Sequence, residues 1–157
     1  MSCRNIRKIG DELLRKKSRP VEEINERITT LLDDMAETMY KSGGVGLAAP
    51  QVGILRRMAV IDVGAEFGDG LLELINPEII AVSGEQTDAE GCLSVPEYIG
   101  TVTRPNVVTV RAQDRTGKTF EKTVSGFFAR AVCHELDHLD GILFVDKASE
   151  IQKRDEE

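Results

Sequence analysis

Both histidines of this chain fall in one five-residue stretch, His134-Glu135-Leu136-Asp137-His138. No other stretch constrains the fold as much, because this pattern carries chemistry when it is helical. At about 100° per residue His134 and His138 share one helix face, where two imidazoles can reach one metal ion, and Glu135 projects beside them. The helix is expected to open near Gly126, bury Phe127, Phe128, Ala131 and Val132, and end at Asp140-Gly141, where glycine can take the left-handed conformation. Such a motif points to metal-assisted hydrolysis.

The rest of the chain supplies the surroundings of that helix. After Ser18 and Pro20, the apolar residues Val21, Ile24, Ile28, Leu31, Leu32, Met35 and Met39 recur at helical spacing. Gly43-Gly44 stops this long N-terminal helix. From Gly44 to Ser125 the texture changes to short β-rich runs: Arg57 to Val63, Leu71 to Ile75, Glu78 to Val82, Val107 to Ala112 and Thr119 to Val124. The last two form a hairpin turning at Thr116-Gly117. The fold class is therefore α+β: mostly antiparallel β-sheets packed around a central metal-binding helix. With 157 residues the chain can bury one core without disulfides, so residues 1–157 are read as a single catalytic domain with a flexible tail from about residue 148.

A formal net charge of -7 argues against a broad nucleic-acid face, which needs clustered Lys and Arg. Basic residues do gather between Arg4 and Arg19, but acidic neighbours follow at once, and this end is read as solvated. No run is long and apolar enough to cross a bilayer, and charge interrupts the N-terminus throughout, so neither membrane binding nor export is expected and the location is cytoplasmic. Three cysteines at irregular spacing fit reduced thiols or a metal ligand. Cys3 is placed in a mobile N-terminus. Cys133 points roughly 100° to 140° away from the two imidazoles and is read as a packed side chain.

A catalytic metal takes three protein ligands and leaves one position open, so the histidine pair needs a partner. Cys92, between Gly91 and Pro96 on an expected bend, is the candidate. A further element runs from Gly43 to Gln51: Gly44 and Gly46 with Ala48 and Ala49 let backbone approach a ligand, and Gln51 offers an amide donor. It lacks the Gly-Lys-Ser/Thr ending of a phosphate loop.

Together and in this order, GVGLAAPQ at 44–51, EGCLS at 90–94 and HELDH at 134–138 resemble the three motifs of the peptide deformylases. The resemblance implies removal of the formyl group from the N-formylmethionine of nascent polypeptides. It implies that Cys92, His134 and His138 hold one divalent metal, ferrous iron in the cell, with zinc, nickel or cobalt able to replace it. Glu135 would act as general base and return the proton to the leaving amine. The Gln51 amide and the Leu93 backbone N–H would serve the developing oxyanion. The peptide would lie extended along Gly44, Val45, Gly46 and Gly91, and Val45, Gly126, Phe127 and the His134 ring would line a pocket for the methionine side chain. Many bacterial members continue into a long C-terminal helix that touches the ribosome, whereas this chain stops at Glu157. Only transient ribosome contact is therefore expected, by a monomer.

Two other readings stay open at this level. H-E-x-x-H alone also marks zinc endopeptidases, which take a third ligand downstream, yet no histidine remains in the 19 residues after His138. A metal-stabilised peptide-binding module without catalysis would be expected to show damage at Glu135 or Gln51, and both are intact.

Overall fold

The structure, a computed structural model, describes residues 2–154. In chain order its main elements are helix α1 (Glu26–Lys41), strands β1 (Gly46–Ala48), β2 (Met58–Ile61), β3 (Leu72–Ser83), β4 (Gln86–Cys92), β5 (Val95–Arg104), β6 (Val107–Gln113) and β7 (Thr119–Ser125), helix α2 (Gly126–Leu139) and strand β8 (Glu150–Lys153). Five strands form one antiparallel sheet in the order β1-β2-β3-β6-β7, and three form another, β4-β5-β8.

Strand alternation explains how the helices are placed. Met58, Val60 and Ile75 pack with Leu31, Leu32, Met35 and Met39 of α1, while Ile61 and Leu74 pack with Phe128, Val132 and Leu136 of α2. Successive residues of a strand point to opposite faces, so the larger sheet lies between the two helices and β2 is buried on both sides. The opposite side of α2 meets the smaller sheet: Arg130 bonds the Val102 carbonyl of β5, and His134 bonds Glu90 of β4. Burying Val132 and Leu136 contributes roughly 1.5–3 kcal/mol each, so α2 is anchored by packing and can present polar groups on its other face.

Several boundaries differ from the sequence reading, each for a local reason. Helix α1 begins at Glu26 because Asn25 caps it, its side chain accepting from the Ile28 N–H at 3.2 Å. Val21 lies before the helix, its N–H and carbonyl both bonded by the Asn76 side chain at 2.7 and 2.9 Å. The two runs expected at Leu71–Ile75 and Glu78–Val82 are one strand, interrupted where Asn76 takes φ 51° before Pro77 and the register to β6 shifts. Strands β1, β4, β5 and β8 were not expected; β1 is only three residues long, and β4 and β8 carry little apolar patterning. The segment read as a flexible tail from 148 instead contributes β8, four exposed residues held by pairing to Tyr98–Thr101 of β5. Nor is the N-terminus loose: Ser2 N–H and the Arg4 guanidinium both bond Asp34, and Arg7 N–H and Ile9 N–H bond the carbonyls of Gln51 and Ser94. The acidic end, Asp155-Glu156-Glu157, lies outside the described residues.

Candidate metal centre and active site

Cys92 ends β4, and His134 and His138 stand one turn apart on α2, so the site forms where the small sheet meets the central helix. Their ligand atoms lie within 4.8 Å of one another. Cys92 Sγ is 3.3 Å from His138 Nε2, which is 3.2 Å from His134 Nε2. His134 commits its other nitrogen, Nδ1, to a 2.6 Å bond to Glu90, which leaves the Nε2 lone pair facing its neighbours. Electron-rich atoms packed this closely call for a cation or a proton among them. One thiolate and two imidazoles suit a divalent transition metal, and three protein donors leave a coordination position open.

The centre forms part of the wall of a cavity of about 460 Å³. Glu135 also lines it, 4% exposed, with Oε2 4.0 Å from His134 Nε2 and Oε1 without a partner among the described residues. Gly46 is required beside it, since a Cβ there would run into the Glu135 carboxylate, and a Cβ on Gly44 would meet Leu93 Cδ1 at 2.6 Å. Gly46→Ala should therefore lower kcat on a formyl peptide by about 10- to 100-fold with little loss of thermal stability. Unchanged kcat would show that Glu135 does not depend on this contact.

Gln51 is oriented by its own loop. Its Oε1 accepts from the Ala48 N–H at 2.9 Å, which turns Nε2 toward Ser94 Oγ at 3.0 Å and Cys92 Sγ at 3.6 Å. With the Ser94 N–H at 3.4 Å, this puts two donors on the sulfur, an arrangement suited to negative charge there. Of the residues expected to contact substrate, Gly44, Val45, Gly46, Gly91, Leu93 and Phe127 all line the cavity. Gly126 does not; its carbonyl is held by Gln86 Nε2 at 2.6 Å. Phe127, expected in the core, is 40% exposed, its ring 5.4 Å from that of Phe67.

Comparison with known proteins places this geometry. The polypeptide deformylase family model matches residues 3–154. The chain belongs to the polypeptide deformylase family. It is 60% identical over 148 residues to a peptide deformylase of Thermoanaerobacter pseudethanolicus, covering 94% of this chain and 91% of that one. To a peptide deformylase of Lachnoclostridium phytofermentans it is 56% identical over 161 residues, covering 100% and 98%. Among solved structures, the Thermotoga maritima peptide deformylase superposes with a TM-score of 0.90 at 40% identity, covering 96% of this chain and 100% of that one. The Ehrlichia chaffeensis enzyme in complex with actinonin gives 0.92 at 37%, covering 96% and 91%. This deformylase is thus a metal-dependent hydrolase that removes the formyl group from the N-terminal formylmethionine of nascent polypeptides.

The sequence reading missed the support beneath the deformylase centre. Glu90 Oε1 accepts from His134 Nδ1 and Arg104 Nη2, both at 2.6 Å, and Oε2 from Arg104 Nε at 3.1 Å and Arg130 Nη1 at 2.6 Å. Arg104 continues to Asp137 at 2.6 Å, and Arg130 to the Val102 carbonyl at 2.9 Å. One signal was present, since Arg130 precedes His134 by four residues and so shares its helix face. Burial alone would raise the Glu90 carboxyl, but hydrogen bonds from His134 and Arg104 outweigh it and hold it well below the usual carboxylate range. Burial pushes Glu135 up to about 7, against the pull of His134. Burial would lower His134 too, yet Glu135, Cys92 and Glu90 surround it with negative charge and hold it well above the usual histidine range. Burial and then His134 keep His138 well below that range, ready as a neutral donor. A metal ion here competes with a proton for the same electronegative space.

Proposed function

We propose that Cys92, His134 and His138 hold one divalent cation and that Glu135 moves the proton in formyl-amide hydrolysis. The convergence of these three donors beside a buried, partnerless carboxylate oxygen carries the reading. A cation held there acts as a Lewis acid and makes a neighbouring water easier to deprotonate. Glu135 takes that proton and later delivers it to the leaving amine nitrogen, a task suited to a carboxyl near neutrality. Gln51 Nε2, fixed by Ala48, and the Leu93 N–H offer donors to the oxygen that becomes anionic, each worth roughly 2.7–4 kcal/mol. The formylmethionyl chain lies extended along Gly44, Val45, Gly46 and Gly91, with Val45, Phe127 and the His134 ring around the methionine side chain. Residues 1–157 act as a single catalytic domain, a cytoplasmic monomer in transient contact with the ribosome, a reading that follows the family likeness.

Ferrous iron is the cation proposed in the cell, since thiolate and imidazole bind both iron and zinc and the choice follows the family. Formyl-Met-Ala-Ser should release formate while casein stays intact; internal cleavage of casein without formate would favour a protease. Anaerobically purified protein should carry iron and lose activity in air as Cys92 and the metal oxidise, whereas nickel or cobalt forms persist. Equal air stability of all forms would count against iron.

A further inference from the structure

The cavity holds charge that the deformylation chemistry does not use. Inside, Glu90 is compensated by Arg104 and Arg130, and Glu135 lies beside His134. The two other charged residues lining the cavity are Lys8 and Arg154, both exposed. Among the described residues neither forms an ion pair with a carboxylate, that of the neighbouring Glu97 included.

Backbone bonding fixes both cations on one side. Lys8 lies between Arg7, whose N–H donates to the Gln51 carbonyl at 2.6 Å, and Ile9, whose N–H donates to the Ser94 carbonyl at 2.8 Å. Its Nζ donates to the Leu93 carbonyl at 3.1 Å. Arg154 follows β8, and its N–H donates to the Glu97 carbonyl at 2.8 Å. Residues from two remote parts of the chain thus meet the wall segment Leu93–Glu97, directly after the ligand Cys92. Among the described residues this makes the rim locally positive, against a formal net charge of -7 for the chain.

We propose that Lys8 and Arg154 determine specificity by favouring a carboxylate on the residues downstream of the formylmethionine. The inference rests on the deformylase reading of the cavity. A formyl group is the very start of its substrate and goes to the metal, so everything that reaches the rim is downstream chain. The carboxylate can be an Asp or Glu side chain or the free C-terminus of a short peptide, and the two are separable by amidation. Exposed cations of this kind act over a Debye length, and their effect fades with salt.

The test is kcat/KM of the metal-loaded enzyme on formyl-Met-Ala-Xaa amides with Xaa Asp, Asn or Lys, and on formyl-Met-Ala-Asn as the free acid. At low ionic strength Asp should exceed Lys by roughly fivefold, mostly through KM, with the gap closing in high salt. The free acid should exceed its amide if the terminal carboxylate is also read. Lys8→Glu combined with Arg154→Glu should reverse the order while turnover of the neutral Asn amide stays within about twofold. A loss confined to folding would lower all peptides alike and leave the order unchanged. Equal values for Asp and Lys amides in the wild type, or an order that survives the double charge reversal, would overturn the proposal. Absence of turnover on every peptide would instead overturn the deformylase reading.

Discussion

Glu135→Gln should retain one metal per chain and lose about 10²- to 10⁴-fold in formyl-peptide turnover. The carboxylate lines the cavity without being one of the three converging donors, so removing its charge leaves Cys92, His134 and His138 in place. Its Oε2 is 4.0 Å from His134 Nε2, and its Oε1 is buried without a partner among the described residues, an orientation suited to receiving a proton from water. Burial pushes the carboxyl up to about 7, a bound divalent cation would pull it back down, and a base works only when ionised, so wild-type kcat/KM should rise with pH along an acidic limb lying at or below that value. The amide of the variant cannot titrate, and its residual rate should lose that limb. Metal analysis beside a formate assay over pH reads both effects. Turnover within tenfold of wild type would remove Glu135 from the mechanism.

Removing Glu90 should have the largest effect on stability and, through His134, on the metal. Arg104 and Arg130 are each 3% exposed, and in Glu90→Ala both guanidiniums stay buried without their shared carboxylate. Stripping one partner from such a network costs about 3–5 kcal/mol, and Tm should fall by roughly 10 °C. His134 also loses the acceptor that fixes its tautomer, so metal affinity should drop about 10- to 100-fold. Glu90→Gln keeps the shape and tests the charge alone. Because the folded-state pKa of Glu90 is depressed, its stabilisation is present above the unfolded value near 4.5 and is lost as pH falls toward the folded value. Denaturant titrations should therefore show the gap between wild type and Glu90→Gln closing as pH drops below 4.5. A gap independent of pH would mean that the ionised carboxylate is not what stabilises the network.

What could be read from the sequence follows from what burial writes into it. Helix α2 and the β6–β7 hairpin were legible because each carries an apolar period plus a terminating turn, Gly141 at φ 76° and Gly117 at φ 88°. Both helices, the antiparallel character of the sheets and the three candidate ligands follow from such patterns and from the motifs. The smaller sheet was illegible because its buried positions include Glu90 and Arg104, which satisfy each other as charges and leave no hydrophobic alternation. Strand β8 buries nothing and exists through main-chain pairing alone. The supporting role of Glu90 was likewise hidden, since a salt bridge between residues 14 apart on neighbouring strands has no local signature. The rim position of Phe127 depends on Phe67, contributed by the loop between β2 and β3, which periodicity along α2 cannot register.

The distance in sequence between the ligands also bears on how the molecule comes into being. Cys92 and His138 are 46 residues apart, and Gln51 is 43 residues from the Ser94 that it bonds. During synthesis the segments bearing Gln51 and Cys92 emerge before α2, so neither of them alone holds the three donors. Contacts between segments so far apart cost more loop-closure entropy than local helix formation, and the centre is complete only once α2 has joined the other two segments.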